Sequence, residues 1–377
     1  QKWHKVKPQK TEEYNYWKEF KDDIKADLDK NYCDSSAQQS PVDVFDAGGT
    51  CLEYHQIRNR PGDFLEDDTE VEKVIGQNKL RVIWPRRLGE EPDPPGADIP
   101  KGWGHIIDAI NTDIVIPAEH TINGRQFVGE YRIFHMHDGG KGAAVITSLM
   151  EIHPLNSRNS HLQKLINEFQ LKFEEDMLKC QNKGRKKRGL RALVSSKGQN
   201  GVSSLRGKNS RLSSKERFPS YRRRRAQYER DLEMKKFDHD DPSDPYTSYG
   251  RYDPYDPQLI TSLWFYGYEG SLTEPPCTPF LSWRIMDKPM YVSTGQLKQM
   301  QNLIFNHVDE NCQPTSNHYQ GSTARPIQKQ KQENDMYRCT CKDFTSDKVR
   351  AQSGVYQCSD DQYKMLHPEG GSTGFGS

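Results

Sequence analysis

The 377-residue chain predicts a mainly β protein of the α+β class. Six short runs alternate apolar and polar residues or are continuously apolar, the pattern of half-buried and buried strands. Only three stretches carry helical spacing. A long cationic stretch without any periodicity interrupts them.

In chain order, residues 1–30 read as a polar N-terminal arm ending in a short helix from about Tyr14 to Leu28. Strands are expected at Lys79–Trp84, Thr112–Pro117, Glu130–His135 and, more apolar, Ala143–Ile152. From Asn159 to Leu178 the residues Leu162, Leu165, Ile166, Phe169, Phe173 and Met177 recur at helical spacing, which predicts a helix packing one apolar face on the sheet. Residues 180–226 are rich in Ser, Gly, Lys and Arg, a composition that on its own reads as disordered. Residues 236–257 are acidic and rich in Tyr and Pro, the signature of an irregular surface loop. Strands resume at Ser262–Tyr268 and Phe280–Ile285, and a helix spans Thr294–Asn306 with Thr294 as its cap. The resulting division is an arm (1–30), a domain (31–328) interrupted by a basic insertion (180–235), and a polar tail with three cysteines (329–377).

Mean hydropathy is −0.97 and 33% of residues are hydrophobic, so part of the length must be arm, loop or tail. No run of about 18 apolar residues exists, which excludes a helical membrane span. The chain begins at Gln1, as removal of a signal peptide would leave it. Its eight cysteines, an even number, favour a disulfide framework in an oxidising compartment, and hence a secreted protein. Metal binding at Cys339-Thr-Cys341 is disfavoured because zinc knuckles space their cysteines more widely.

The formal charge of +1 hides an asymmetry. Lys179 to Arg225 holds 17 Lys or Arg against Glu216 alone, a net +16, which leaves −15 on the rest of the chain.

Seven segments, in order, resemble the α-carbonic anhydrase family. They are Gln39-Ser-Pro-Val-Asp43, Ala118-Glu-His-Thr-Ile122, Glu130–His135, Ala143–Met150, Trp264–Cys277 with its Gly-Ser-Leu-Thr turn, Trp283-Arg-Ile followed by Val292–Leu297, and Arg325-Pro-Ile-Gln328. The resemblance covers roughly residues 33–328. It implies a large, twisted, mostly antiparallel sheet with peripheral helices. It also implies a disulfide between Cys33 and Cys277, where secreted members of the family often carry one.

The enzymes of that family hydrate carbon dioxide on a zinc ion held by three neutral imidazoles, which lowers the pKa of bound water to about 7. The family pattern puts two ligands in a His-x-His pair upstream of Glu-His-Thr and the third two residues after the glutamate of the next strand. Anchored without gaps on Glu119 and Glu130, those places fall on Ile107, Ala109 and Arg132, none of them a usual zinc ligand. Sliding the first strand by two residues brings in only His105. The proton-shuttle place falls near Asn78 or Lys79. Thr273 stands where the family's gate-keeping hydroxyl belongs, with Glu119 to orient it, and the next residue is Glu274. Vestigial Thr273, Glu119 and Glu130 without ligands would leave buried acids, which is expensive. A cluster of Arg132 with Glu119, Glu130 and Glu274 would relieve that, a fixed organic cation replacing zinc.

A competing register keeps a metal. His135 and His137 lie two apart on one strand face, and Glu151-Ile-His153 could bring a third imidazole, giving a zinc site at His135, His137 and His153. This would place Glu-His-Thr upstream of the histidine pair, against the family order.

The clusters Arg185-Lys186-Lys187-Arg188 and Arg222-Arg223-Arg224-Arg225 are dense enough to bind a polyanion or to serve as protease processing sites. Few aromatics interleave with them, so base stacking and nucleic acid are not supported. The charge split also suits self-assembly of the basic insertion onto an acidic surface, with an extracellular polyanion as the alternative. The sequence therefore points to a secreted carbonic-anhydrase-like protein without cofactor and with a structural, assembly or polyanion-binding role. The alternative is an active zinc carbonic anhydrase, a carbonate dehydratase using the shifted histidines.

Overall fold

The computed structural model describes residues 7, 12–21, 24, 27–35, 38–45, 51, 59–60, 71–85, 94–99, 106–137, 142–195, 252–329 and 336–340, with backbone alone for 12–14 and 181–195. Among them, strands dominate. They are β1 (Asp43–Val44), β2 (Asn59–Arg60), β3 (Glu72–Ile75), β4 (Lys79–Ile83), β5 (Gly96–Ala97), β6 (Ile107–Val115) and β7 (Thr121–Ile122), then β8 (Arg125–Gln126), β9 (Gly129–Met136), β10 (Ala143–Ile152), β11 (Phe265–Ser271), β12 (Pro279–Met286), β13 (Met290–Val292) and β14 (Tyr337–Cys339). Three helices accompany them: α1 (Glu12–Lys18), α2 (Ser160–Ser195) and α3 (Thr294–Phe305).

Eleven strands form one mixed sheet in the order β14-β11-β12-β10-β9-β6-β4-β3, with β13 beside β10 and β5 joining β2 to β6. Most pairings are antiparallel; β10 runs parallel to β12 and β13. A small sheet, β1-β7-β8, completes the strands. Every residue of β9 is buried, and so are the first eight of β10. Central strands covered on both faces need no polar alternation, which is why the apolar run Ala143–Met150 is so legible.

Helices α2 and α3 cover one face. Leu162, Leu165, Ile166 and Phe169 of α2 and Met300, Leu303 and Ile304 of α3 share a core with Ile107, Ala109, Ile114, Ile133, Ala144 and Ile146 of the sheet. The opposite face, with Phe134, Val145, Leu149, Trp283 and Ile285, is covered by the N-terminal residues Trp17, Phe20, Ile24 and Leu28.

Helix boundaries differ from expectation in three places. The arm's helix is shorter, Glu12–Lys18, because its following residues turn through hydrogen bonds from Glu19, Phe20 and Lys21 to the carbonyls three residues back. The long helix runs on to Ser195 instead of stopping at Leu178. Ser293, not Thr294, caps α3: its hydroxyl accepts from the Gln296 amide while the Gln296 side chain accepts from the Ser293 amide.

Three disulfides join described residues: Cys33–Cys277, Cys51–Cys339 and Cys180–Cys312. The last ties α2 to the loop after α3. No helix of the described residues is long and apolar enough to cross a membrane.

Candidate functional site

Residues two apart on β9 share a face, so Glu130, Arg132 and Phe134 project together. Strand pairing sets Val115, Asp113 and Asn111 of β6 directly opposite them, and Arg81 of β4 opposite Asp113. An irregularity between Ala109 and Asn111 shifts the register there.

Arg132 is the centre of the site. It is 1% exposed, and three of its nitrogens are engaged: Nε donates to Glu130 Oε1 at 2.8 Å, Nη2 to Glu119 Oε2 at 2.6 Å and Nη1 to the Thr273 hydroxyl at 3.0 Å. The guanidinium also lies 5.2 Å from the centre of the Trp283 ring. Glu130 holds more than Arg132. Its Oε2 accepts from the Glu119 and His120 amides at 2.9 and 3.1 Å, and its Oε1 lies 2.7 Å from His120 Nδ1. His120 Nε2 continues to the Tyr268 hydroxyl at 2.7 Å, which meets the Ser40 hydroxyl at 2.8 Å. The second oxygen of Glu119 accepts the Arg325 amide at 3.0 Å. Burial alone would raise the Glu130 pKa, but Arg132 and His120 outweigh it and hold the carboxyl well below the usual range. Burial likewise opposes the charge on Arg132, and Glu130 with Glu119 more than restores it, raising its pKa.

Glu274 belongs to a neighbouring cluster instead of to Arg132. It pairs with Lys79 and lies 3.4 Å from Arg81 Nη2. Arg81 grips Asp113 with two bonds of 2.7 Å, and Lys79 Nζ is 3.6 Å from the same carboxylate. Asn111 donates to Asp113 at 2.9 Å and accepts from the Tyr16 hydroxyl at 2.9 Å. Four carboxylates (Asp113, Glu119, Glu130, Glu274) thus face three cations (Lys79, Arg81, Arg132), all less than 9% exposed, while the buried Arg325 guanidinium donates to the Ser40 and Cys33 carbonyls and to Gln39. Burying so many charges is tolerable only with this matching and bonding.

Several expected placements need correction. Ile107 and Ala109 face the helix layer, whereas Asn111 and Asp113 share the face of Arg132. Glu119 does not orient the Thr273 hydroxyl, since Arg132 stands between them. Lys79, at the proton-shuttle place, is locked to Glu274. The histidines of the competing register do not converge. His135 faces the helix layer, with Nε2 2.6 Å from the Tyr255 hydroxyl and Nδ1 3.3 Å from the Ala144 carbonyl. His135 pairs with Ala144, nine residues from His153, which is about 30 Å along an extended strand. There His153 accepts the Leu155 and Ser157 amides. Arg185–Arg188 lie on the extended part of α2, and Arg222–Arg225 fall outside the described residues.

The donor set does not fit zinc. A guanidinium has only donors and keeps its charge, so Arg132 cannot be a ligand. Both oxygens of Asp113 are taken by Arg81, and the Asn111 carbonyl by Tyr16. Among the described residues no group of three or more His, Cys, Asp or Glu could hold a metal. N-terminal aromatics pack beside the site: the Trp17 ring, 0% exposed, is centred 5.7 Å from that of Phe134 and 5.9 Å from that of Phe280, and Arg81 lies 4.6 Å from the Tyr16 ring centre. Sequence reasoning missed Asn111, Asp113, Arg81, His120, Tyr268 and the covering residues. Only strand register could have revealed the first two.

Comparison with known proteins finds a likeness to the carbonic anhydrases over part of the chain. Residues 255–334 match the family model of eukaryotic-type carbonic anhydrases. A putative carbonic anhydrase 3 of Caenorhabditis elegans is 39% identical over 56 residues, 14% of this chain and 23% of that protein. A carbonic anhydrase of Pectobacterium carotovorum is 36% identical over 56 residues, 15% and 23% of the two chains. The chain thus spans about a quarter of the length of the curated relatives it matches. Similar solved structures include the α-carbonic anhydrase of Photobacterium profundum, with TM-score 0.43 and 16% identity over 81% of this chain and 91% of that one. A carbonic anhydrase of Chlamydomonas reinhardtii gives TM-score 0.46 and 14% identity over 82% and 93%.

Proposed function

We propose that this is a secreted carbonic-anhydrase-like domain that neither holds zinc nor hydrates carbon dioxide, and that serves a structural or assembly role. One observation carries the reading: the Arg132 guanidinium bridges Glu119, Glu130 and Thr273. A cation placed there would repel a second cation, and the groups that would position a zinc-bound hydroxide are spent on the arginine. Secretion is supported by the three disulfides, which persist in oxidising compartments. The charge split supports assembly, with the basic insertion meeting either the acidic body of a neighbouring copy or an external polyanion.

Elemental analysis of the purified chain, paired with stopped-flow hydration of carbon dioxide, tests the reading. No stoichiometric zinc and no hydration above the uncatalysed rate are expected. One zinc per chain with sulfonamide-sensitive turnover would overturn it in favour of a carbonate dehydratase.

A further inference from the structure

Helix α2 has two halves of different character. In Ser160–Cys180, Leu162, Leu165, Ile166, Phe169 and Phe173 pack in the core under the sheet, and the Cys180–Cys312 disulfide closes that half. The helical backbone then continues for residues 181–195, about 22 Å at 1.5 Å per residue. Lys183, Arg185, Lys186, Lys187, Arg188 and Arg191 lie on it, and no acidic residue does.

Two physical consequences follow from that register. At about 100° per residue the six cations are distributed around the whole circumference, not along one stripe. A flat protein surface could neutralise one side only, whereas a linear polyanion can wrap the rod. Five pairs also stand three or four residues apart: Lys183 with Lys186 and Lys187, Arg185 with Arg188, and Arg191 with Lys187 and Arg188. Like charges at those spacings destabilise a helix, and Gly184 and Gly189 weaken it further. Nothing in the composition compensates: Leu190, Leu193 and Val194 are too few to build an apolar face. The helical form of this half therefore gains most from a ligand that supplies negative charge on all sides.

We propose that residues 181–195 are the binding site for a linear sulfated polysaccharide, and that the polysaccharide stabilises their helix. This rests on the polyanion arm of the assembly role above, and it fixes both the site and the partner's chemistry. The disulfide-stapled part of α2 before Lys183, whose Lys172 and Lys179 are paired with Asp176 and Glu175, would serve as a preformed helical start, so that the bound half propagates an existing helix instead of nucleating one.

Amide hydrogen exchange on the full chain, with and without heparin, tests this. Heparin is expected to slow exchange of residues 183–195 at least tenfold, with binding that weakens at least tenfold as salt rises from about 0.05 to about 0.2 M. The variant R185Q/K186Q/K187Q/R188Q should bind heparin at least tenfold more weakly. It should also show slower exchange over 183–195 without heparin, because the repulsion is gone. Heparin binding with no change in exchange over 183–195 would overturn the site while leaving a polyanion-binding role intact. No salt-sensitive binding at all would overturn both. Equal protection by concentrating the protein alone would assign the segment to a second copy and overturn the polysaccharide. The zinc and hydration measurements are unaffected by any of these outcomes.

Discussion

At the scale of single residues, Arg132 shows how one buried guanidinium holds two carboxylates and a hydroxyl. Removing one partner of a buried ion pair costs about 3–5 kcal/mol because the other charge is left uncompensated. Arg132→Ala should therefore destabilise the fold by about that amount in urea denaturation, leaving Glu119 and Glu130 unpaired. Arg132→Lys should recover only part of the loss, since an ammonium cannot span Glu130, Glu119 and Thr273 in one plane. Equal stability of the alanine variant would sink the bridging role. His135 supplies a second residue-scale prediction. Burial pushes its pKa from 6.5 down to about 3, so the folded state keeps it neutral where the unfolded chain takes a proton. Its contribution is present above pH 6.5 and is lost as pH falls toward 3. At 1.36 kcal/mol per unit, the loss by pH 4 is about 3 kcal/mol. His135→Gln, which keeps a group to meet the Tyr255 hydroxyl, should flatten the acid limb of the stability–pH curve by about that much.

Among the elements, legibility followed burial. Ala143–Ile152 was readable to the residue because β10 is mostly apolar and buried over its first eight residues, and β9 within a residue at each end. Strand β6 was not: it begins at Ile107, five residues before the expected Thr112, because Asp108 and Asn111 break the apolar pattern. Asp108 is held by Arg60, and Asn111 by Tyr16 and Asp113, partners distant in sequence that no local pattern records. The same blindness hid Asn111 and Asp113 beside Arg132, since a register is a property of two strands. The arm was read as polar, yet Tyr16, Trp17 and Phe20 lie over the site, with Trp17 against Phe134 and Phe280. Trp17 Nε1 is buried without a hydrogen-bond partner among the described residues. Trp17→Ala should cost about 3–5 kcal/mol in chemical denaturation, as for other large core truncations. Trp17→Phe should cost under about 1.5 kcal/mol, because it keeps the ring contacts and removes an unsatisfied donor. A phenylalanine variant as unstable as the alanine one would mean that the indole nitrogen has a partner after all.

For the whole molecule, the near-zero formal charge describes no part of it. A segment of +16 and a remainder of −15 attract each other, and nothing in that balance requires the two to lie in one copy. Ten of the cations stand in residues 196–225, beyond the helix of 181–195, against Glu216 alone. If they meet the acidic body of a neighbour, the contact is heterologous, and each copy still offers a free segment and a free surface. Growth then continues to rings or filaments instead of stopping at a dimer. Screening sets the observable. The Debye length falls from about 30 Å at 0.01 M salt to about 3 Å at 1 M, so such contacts should dissolve across that range. Sedimentation velocity should show species larger than a dimer at low salt and the monomer at high salt. A chain lacking residues 196–225 should stay monomeric throughout, and the R185Q/K186Q/K187Q/R188Q variant should assemble like the parent, because its cations are spread around a rod that a flat surface cannot satisfy. Salt-independent assembly, or assembly that survives the deletion, would place the contact on the sheet domain and remove the charge split from the account of what the molecule does.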